Sequence, residues 1–249
     1  MLANGRLERL REKKVGLIVA SFTGGYFILL FITPLMLPTN TIPDLSGRAN
    51  RIDYATEHGW GSWGNHNHGE NAEIGHNQED LGFFSWSELN PLAALVYFIG
   101  DLNCHQKHER SWEINGNQLA VCARDVGLFL GLAVGALFWR KKGLNRWTVR
   151  DSFLSVFNDE KIEFLYKEDR RFLAMILLVS LGAIPIGLDG FTQLLTSYES
   201  TNLIRLITGS GAGFVLSWWS CAAISSRPDN FDSADQVRLP ANAKLVFRD

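Results

Sequence analysis

Cysteine is scarce: three residues in a chain of 249 are too few for a disulfide framework. Charge of one sign is scarce as well. The chain carries 24 Lys and Arg against 26 Asp and Glu, a formal charge of -2. That balance excludes broad electrostatic capture of nucleic acid, and no nucleic-acid partner is expected. No convincing internal repeat is found. What the sequence has instead is segregation. Long apolar blocks alternate with charged connectors, where a soluble domain would mix core and surface positions more finely.

The blocks predict an all-α integral membrane protein with four transmembrane helices, one re-entrant or interfacial hydrophobic segment and an extracytoplasmic loop. Residues 1–14 carry five basic and two acidic side chains and lead into residues 15–37, an uncharged run of 23. At ~1.5 Å per residue this run crosses a ~30 Å hydrocarbon layer. It is read as an uncleaved first span, because it exceeds the usual signal-peptide core and no clear small-residue cleavage site follows. Residues 38–90 turn polar and hold His58, His66, His68 and His76 in a Gly-rich run. Lacking helical spacing, they read as a solvated loop or lid, with metal capture as the alternative. Residues 91–102 are apolar but only 12 long and contain Asp101, a length suited to dipping in rather than crossing. Further spans are expected at 119–139, 172–188 and 203–224, the second of these loosened near Pro185 and Gly187. Residues 150–171 are read as either a surface amphipathic helix or a plain connector, and residues 225–249 as a polar tail outside the membrane.

Charge distribution orients these spans. Residues 140–171 hold nine basic against six acidic residues, whereas 38–118 hold four against eleven. The asymmetry predicts a multi-pass cell-membrane protein with both termini cytoplasmic. The domains expected are then 1–37, 38–90, a core of 91–224 and a tail of 225–249.

Under that topology Cys104, His105, His108, Arg110, Cys122, Arg124, Asp125, Asp189, Gln193, Asn202 and Arg205 fall near the outer ends of helices. Ionisable groups at the edge of a membrane are costly unless paired or solvated, so their convergence marks a candidate site. Structural ion pairing is the competing explanation. Cys104 and Cys122 admit either a disulfide across the outer face or a metal centre completed by His105 or His108 and by Asp125, with zinc suited to such mixed ligands. Arg110, Arg124 and Arg205, joined by Asn202 at helical spacing from Arg205, offer guanidinium forks to an anionic lipid headgroup. Asp189 and Gln193, one helical turn apart, are candidates to order a water or hydroxyl. Gly127, Gly131 and Gly135 on one stripe, and Gly209 and Gly213 on another, are expected to seat neighbouring helices. Cys221 reads as a small packing residue.

Four motifs carry a resemblance. They are C-H-Q-x-x-x-R-S from Cys104, V-C-A-R-x-x-G-x-x-L-G around Cys122, L-D-G-x-x-Q at Asp189 and S-T-N-x-x-R-x-x-T-G around Arg205. Together they resemble the predicted membrane proteins of domain of unknown function two thousand and eighty-five, over residues 92–213. Members of that family often read R-C-T-G where this chain has Arg124, Asp125, Val126 and Gly127. The resemblance implies that Asp125 replaces a cysteine, which keeps a zinc ligand but not a disulfide partner. The function expected is a zinc-dependent hydrolase or transferase acting on a membrane lipid or lipid-linked substrate. Cys104, His105, Cys122 and Asp125 would hold the metal, and Asp189 with Gln193 would be the catalytic pair. The alternatives are a metal or small-solute binding or transport protein without enzymatic activity, and a disulfide-stapled structural protein.

Overall fold

The computed structural model describes residues 8–68 and 77–245. Its helices are α1 (Leu10–Met36), α2 (Gln78–Leu81), α3 (Pro91–Asn103), α4 (Ala123–Lys142), α5 (Val149–Leu154), α6 (Asp159–Lys167), α7 (Arg171–Leu195) and α8 (Asn202–Ser225). An antiparallel hairpin pairs β1 (Glu113–Ile114) with β2 (Asn117–Gln118). The chain divides into two compact units, one of residues 25–127 and 198–207, the other of the remainder.

Three helices, α1, α7 and α8, are long and apolar enough to cross a membrane, not the four expected. The helix that falls short is α4. It begins at Ala123 rather than at residue 119, and its 20 residues include Arg124, Asp125, Arg140, Lys141 and Lys142. The uncharged part, residues 126–139, is only ~21 Å long at helical rise. Helix α3, with 13 residues, is likewise too short to span, as its apolar length implied. The loosening expected at Pro185 does not end α7, which continues past Gly187 to Leu195. In lipid the backbone has no other partners, so a helix persists across a proline.

In the first unit, residues 38–68 and 77–90 are not the solvated loop the composition suggested. Ile42, Leu45, Tyr54, Ala55 and Phe84 are buried, as are the polar Asn65 and Gln78. The reason is a set of buried polar anchors. Asp101 on α3 accepts hydrogen bonds from Tyr54 N (3.0 Å), Asp53 N (3.1 Å) and Trp86 Nε1 (2.9 Å). Arg48 donates to Cys104 O, Asn50 O and Leu102 O, closing the carboxyl end of α3. Helix α3 itself starts where Asn90 caps Ala93 N and Pro91 occupies the first turn. Of the loop histidines, His66 bonds Ser62 and His68 stacks on Trp63 at 4.0 Å, while His58 sits beside Glu57. His76 lies outside the described residues.

The second unit packs α5, α6 and the segment after α8 into one core. Trp218 stacks on Phe153 at 3.9 Å and donates to Phe153 O, and Phe231, Val237 and Leu239 of the tail are buried with them. The connector and the tail as far as residue 245 are therefore packed into a folded core. Buried Arg171 pairs with Asp169 at 2.7 Å and with Asp151 at 3.4 Å, and buried Arg146 with Asp159 at 2.5 Å. Cys221 is fully buried in the same core, matching its packing role.

Helix α4 seats on α8 by glycine. A methyl group added at Gly131 would overlap Ser210 O, one at Gly135 would overlap Phe214 O, and one at Gly213 would overlap Leu128 O. Residue numbers rise together along both helices, so α4 and α8 run parallel. Within the same unit Arg9 donates to Arg140 O, Lys141 O and Gly143 O, and Arg11 to Ile224 O. The start of α1 therefore meets the ends of α4 and α8.

Candidate functional site

The site in the first unit is assembled by a polar staple. At the end of α3, Gly100 lies so close to the following segment that a Cβ would overlap Ala120 O. The chain then turns through Gln106, which adopts a left-handed backbone (φ 52). The fully buried Gln106 side chain donates to Ala120 O at 2.9 Å, and Gln118 Nε2 returns a bond to Gln106 O at 3.0 Å. Tyr97 OH reaches Gln118 O at 2.6 Å. Two backbone segments 14 residues apart are thereby fixed side by side, with Cys104 on one and Cys122 on the other. The hairpin supports this register. Asn115 and Gly116 both take positive φ, as a two-residue hairpin turn of the Asn-Gly kind requires. Asn117 accepts from Ile42 N and donates to Pro34 O and Pro38 O.

Cys104, Cys122 and Asp125 form a group whose ligand atoms all lie within 4.8 Å of one another. It is the one such group of metal-ligating side chains among the described residues. Cys104 is buried, and its sulfur accepts from Cys122 N at 3.1 Å. The Cys122 thiol donates to Asp125 Oδ2 at 3.1 Å. Both cysteines are free thiols. Hydrogen bonding with Cys122, then burial, then the Asp125 charge hold the Cys104 thiol well above its ordinary range. Asp125 is placed by helical geometry: it sits three residues after Cys122 and so on the same face of the first turn of α4. His105 is exposed and stands outside the three-residue group. It nevertheless feels the Asp125 charge, and its pKa is lowered by partial burial and by Arg48 and Arg110. His108 is turned away, with Nδ1 3.1 Å from Leu45 O.

The arginines gather next to it. Arg205 is buried, and Asn202 Oδ1 accepts from its Nη1 at 3.0 Å while Asn202 Nδ2 donates to Ser111 O. Glu199 bridges two guanidiniums, one oxygen 3.0 Å from Arg205 Nη2 and the other 3.3 Å from Arg110 Nη2. Arg110, Arg124 and Cys122 all lie within electrostatic reach of Arg205. Cys104, Cys122, Asp125, Arg110, Arg124, Asn202 and Arg205 are thus brought into one neighbourhood. Asp189 and Gln193 belong to α7 in the second unit, where Asp189 is buried.

Sequence reasoning gave no role in the site to Glu199, Gln106 or Gln118. The first pairs with Arg110 across 89 residues, which no local pattern announces. The Asn-Gly pair at 115–116 was a readable signal for the hairpin that carries Gln118.

A family profile described as "Predicted membrane protein (DUF2085)" matches residues 104–219. An uncharacterized protein of Methanothermobacter thermautotrophicus is 34% identical over 113 residues, covering 45% of this chain and 79% of that relative. The chain belongs to this family of predicted membrane proteins. An uncharacterized protein of Methanocaldococcus jannaschii is 33% identical over 125 residues, which is 50% of this chain. The match spans 65% of that relative, just under two thirds of its length. No solved structure matches. The family region opens at Cys104 and takes in the thiols, the arginines and Glu199, whereas α1 and α3 precede it.

Proposed function

We propose that this family member is a multi-pass membrane protein that binds zinc through Cys104, Cys122 and Asp125 beside an arginine site for an anionic lipid or lipid-linked group, and that it acts there as a hydrolase or transferase. The observation that carries this reading is the cluster of two sulfurs and one carboxylate oxygen within 4.8 Å. The donor set fits zinc, which accepts mixed sulfur, nitrogen and oxygen ligands. His105 is the proposed fourth ligand, since it follows Cys104 in the chain and already feels the Asp125 charge. When bound, the ion supplies Lewis acidity to an oxygen of the substrate or of water. The chain's own residues do the rest. Asn202 holds the Arg205 guanidinium in a fixed plane, and Arg110 and Arg124 add positive charge for an anion to meet.

The test is the zinc content of detergent-purified protein, with a free-thiol count on the same sample. About one zinc per chain is expected, lost with Cys122→Ser or Cys104→Ser. Absence of metal together with a single reactive thiol would mean a Cys104–Cys122 disulfide, with Cys221 left reduced, and would overturn the metal reading.

The proposed topology places both termini in the cytoplasm. It is supported by the basic residues at 1–14 and 140–171. The contacts of Arg9 and Arg11, which join the start of α1 to the ends of α4 and α8, agree with it.

A further inference from the structure

The arginine site contains its own anion. Glu199 bridges Arg110 and Arg205 with one oxygen on each, yet its side chain is 69% exposed, so this end of the bridge faces outward. Ion pairs to an exposed carboxylate contribute little to stability and are readily exchanged. The pairing with Arg110 is also incomplete. It uses Nη2 alone at 3.3 Å, while Arg110 Nε is buried without a hydrogen-bond partner. A guanidinium meets an oxyanion best through a parallel fork, and Nε with one Nη is such a fork. The carboxylate of Glu199, with two oxygens, is already divided between two arginines. A phosphoryl group offers three or more, enough to fill the Arg110 fork and still reach Arg205. Arg205 is already held for this by Asn202, whose amide in turn donates to Ser111 O.

We propose that Glu199 occupies, as a resident carboxylate, the place of a phosphoryl group, and that a phosphate-bearing ligand displaces it to bridge Arg110 and Arg205. The inference rests on the anion-site half of the reading above and does not require zinc. It makes Glu199 a competitor for the site, so removing its charge strengthens binding. A purely structural ion-pair partner would have the opposite effect.

The experiment measures phosphate binding by the full chain, by calorimetry with inorganic phosphate in neutral detergent. A parallel arm uses native mass spectrometry after reconstitution in phosphatidylcholine nanodiscs with or without phosphatidic acid. Glu199→Gln keeps the hydrogen-bond acceptor and removes the charge. It should bind about tenfold tighter, the size of one like charge near 6 Å at intermediate dielectric. Arg110→Gln should weaken binding by a similar factor. Binding of inorganic phosphate would identify a soluble phosphate source, and retention of phosphatidic acid alone would identify a lipid headgroup; either supports the proposal. Unchanged or weaker binding in Glu199→Gln, or no binding of either probe by the wild type, overturns it. Zinc measured on the same samples separates the two readings: zinc without phosphate binding sinks only this one, and phosphate binding without zinc sinks only the metal centre.

Discussion

A single carboxylate decides whether the segment before α3 is a loop or part of the fold. Asp101 is fully buried and receives Asp53 N, Tyr54 N and the Trp86 indole. Truncation to alanine strands three donors in a dry environment, and a buried donor left unpaired costs ~1–3 kcal/mol. Asp101→Ala is therefore expected to lower stability by about 3–5 kcal/mol, at the severe end for point changes. Thermal unfolding in detergent checks this, and Asp101→Asn, which keeps one acceptor oxygen, should recover part of the loss. A residual melting temperature equal to wild type would show that residues 49–55 dock by other means. The aspartate was visible in the sequence as a lone charge in an apolar run, but its partners lie 15 to 48 residues away. Nothing in a local pattern predicts backbone amides as ligands, and the loop therefore read as solvated. The same limit hid Glu199. By contrast, the pairing of Cys122 with Asp125 was legible because it depends only on helical spacing.

Among elements, the glycine stripes were the most readable feature, since a four-residue period on an apolar helix has few causes other than close helix approach. The α4–α8 contact confirms Gly131, Gly135 and Gly213 in that role, each against a backbone carbonyl that cannot step aside. Gly131→Leu should therefore force the helices apart and cost about 2 kcal/mol or more, as overpacking into backbone does. Gly25→Leu is the internal control. Gly25 has nothing within 4 Å of an added Cβ, so its substitution should change stability by no more than about 0.5 kcal/mol. Equal effects from the two variants would sink the close-packing account. The hairpin fared differently. Its strands are two residues each, too short for alternation to register, and only the Asn115-Gly116 turn betrayed it. Boundaries failed at α4 for a related reason. Leu119, Ala120 and Val121 are apolar and fully buried, yet they serve the staple to Gln106 rather than a helix.

At the scale of the whole molecule, hydropathy and packing give different weights to α4. The three helices that qualify by composition would, if they alone crossed, leave the two termini on opposite sides of the membrane. The contacts within the second unit place the start of α1 against the ends of α4 and α8, and they make α4 parallel to α8. A helix lined by protein needs less apolar surface than one facing lipid. Ala136 and Trp139 of α4 are fully buried, whereas α7, one of the three helices long and apolar enough to cross, has only 11% of its apolar window buried. Charged ends on α4 are then tolerated by extension to the interface. The prediction is that reporters or impermeant labels at residue 3 and at residue 247 score on the same side as residue 143, the side holding the basic connector. Opposite sides for residues 3 and 247 would confine crossing to α1, α7 and α8 and remove the charge-based orientation of the metal site.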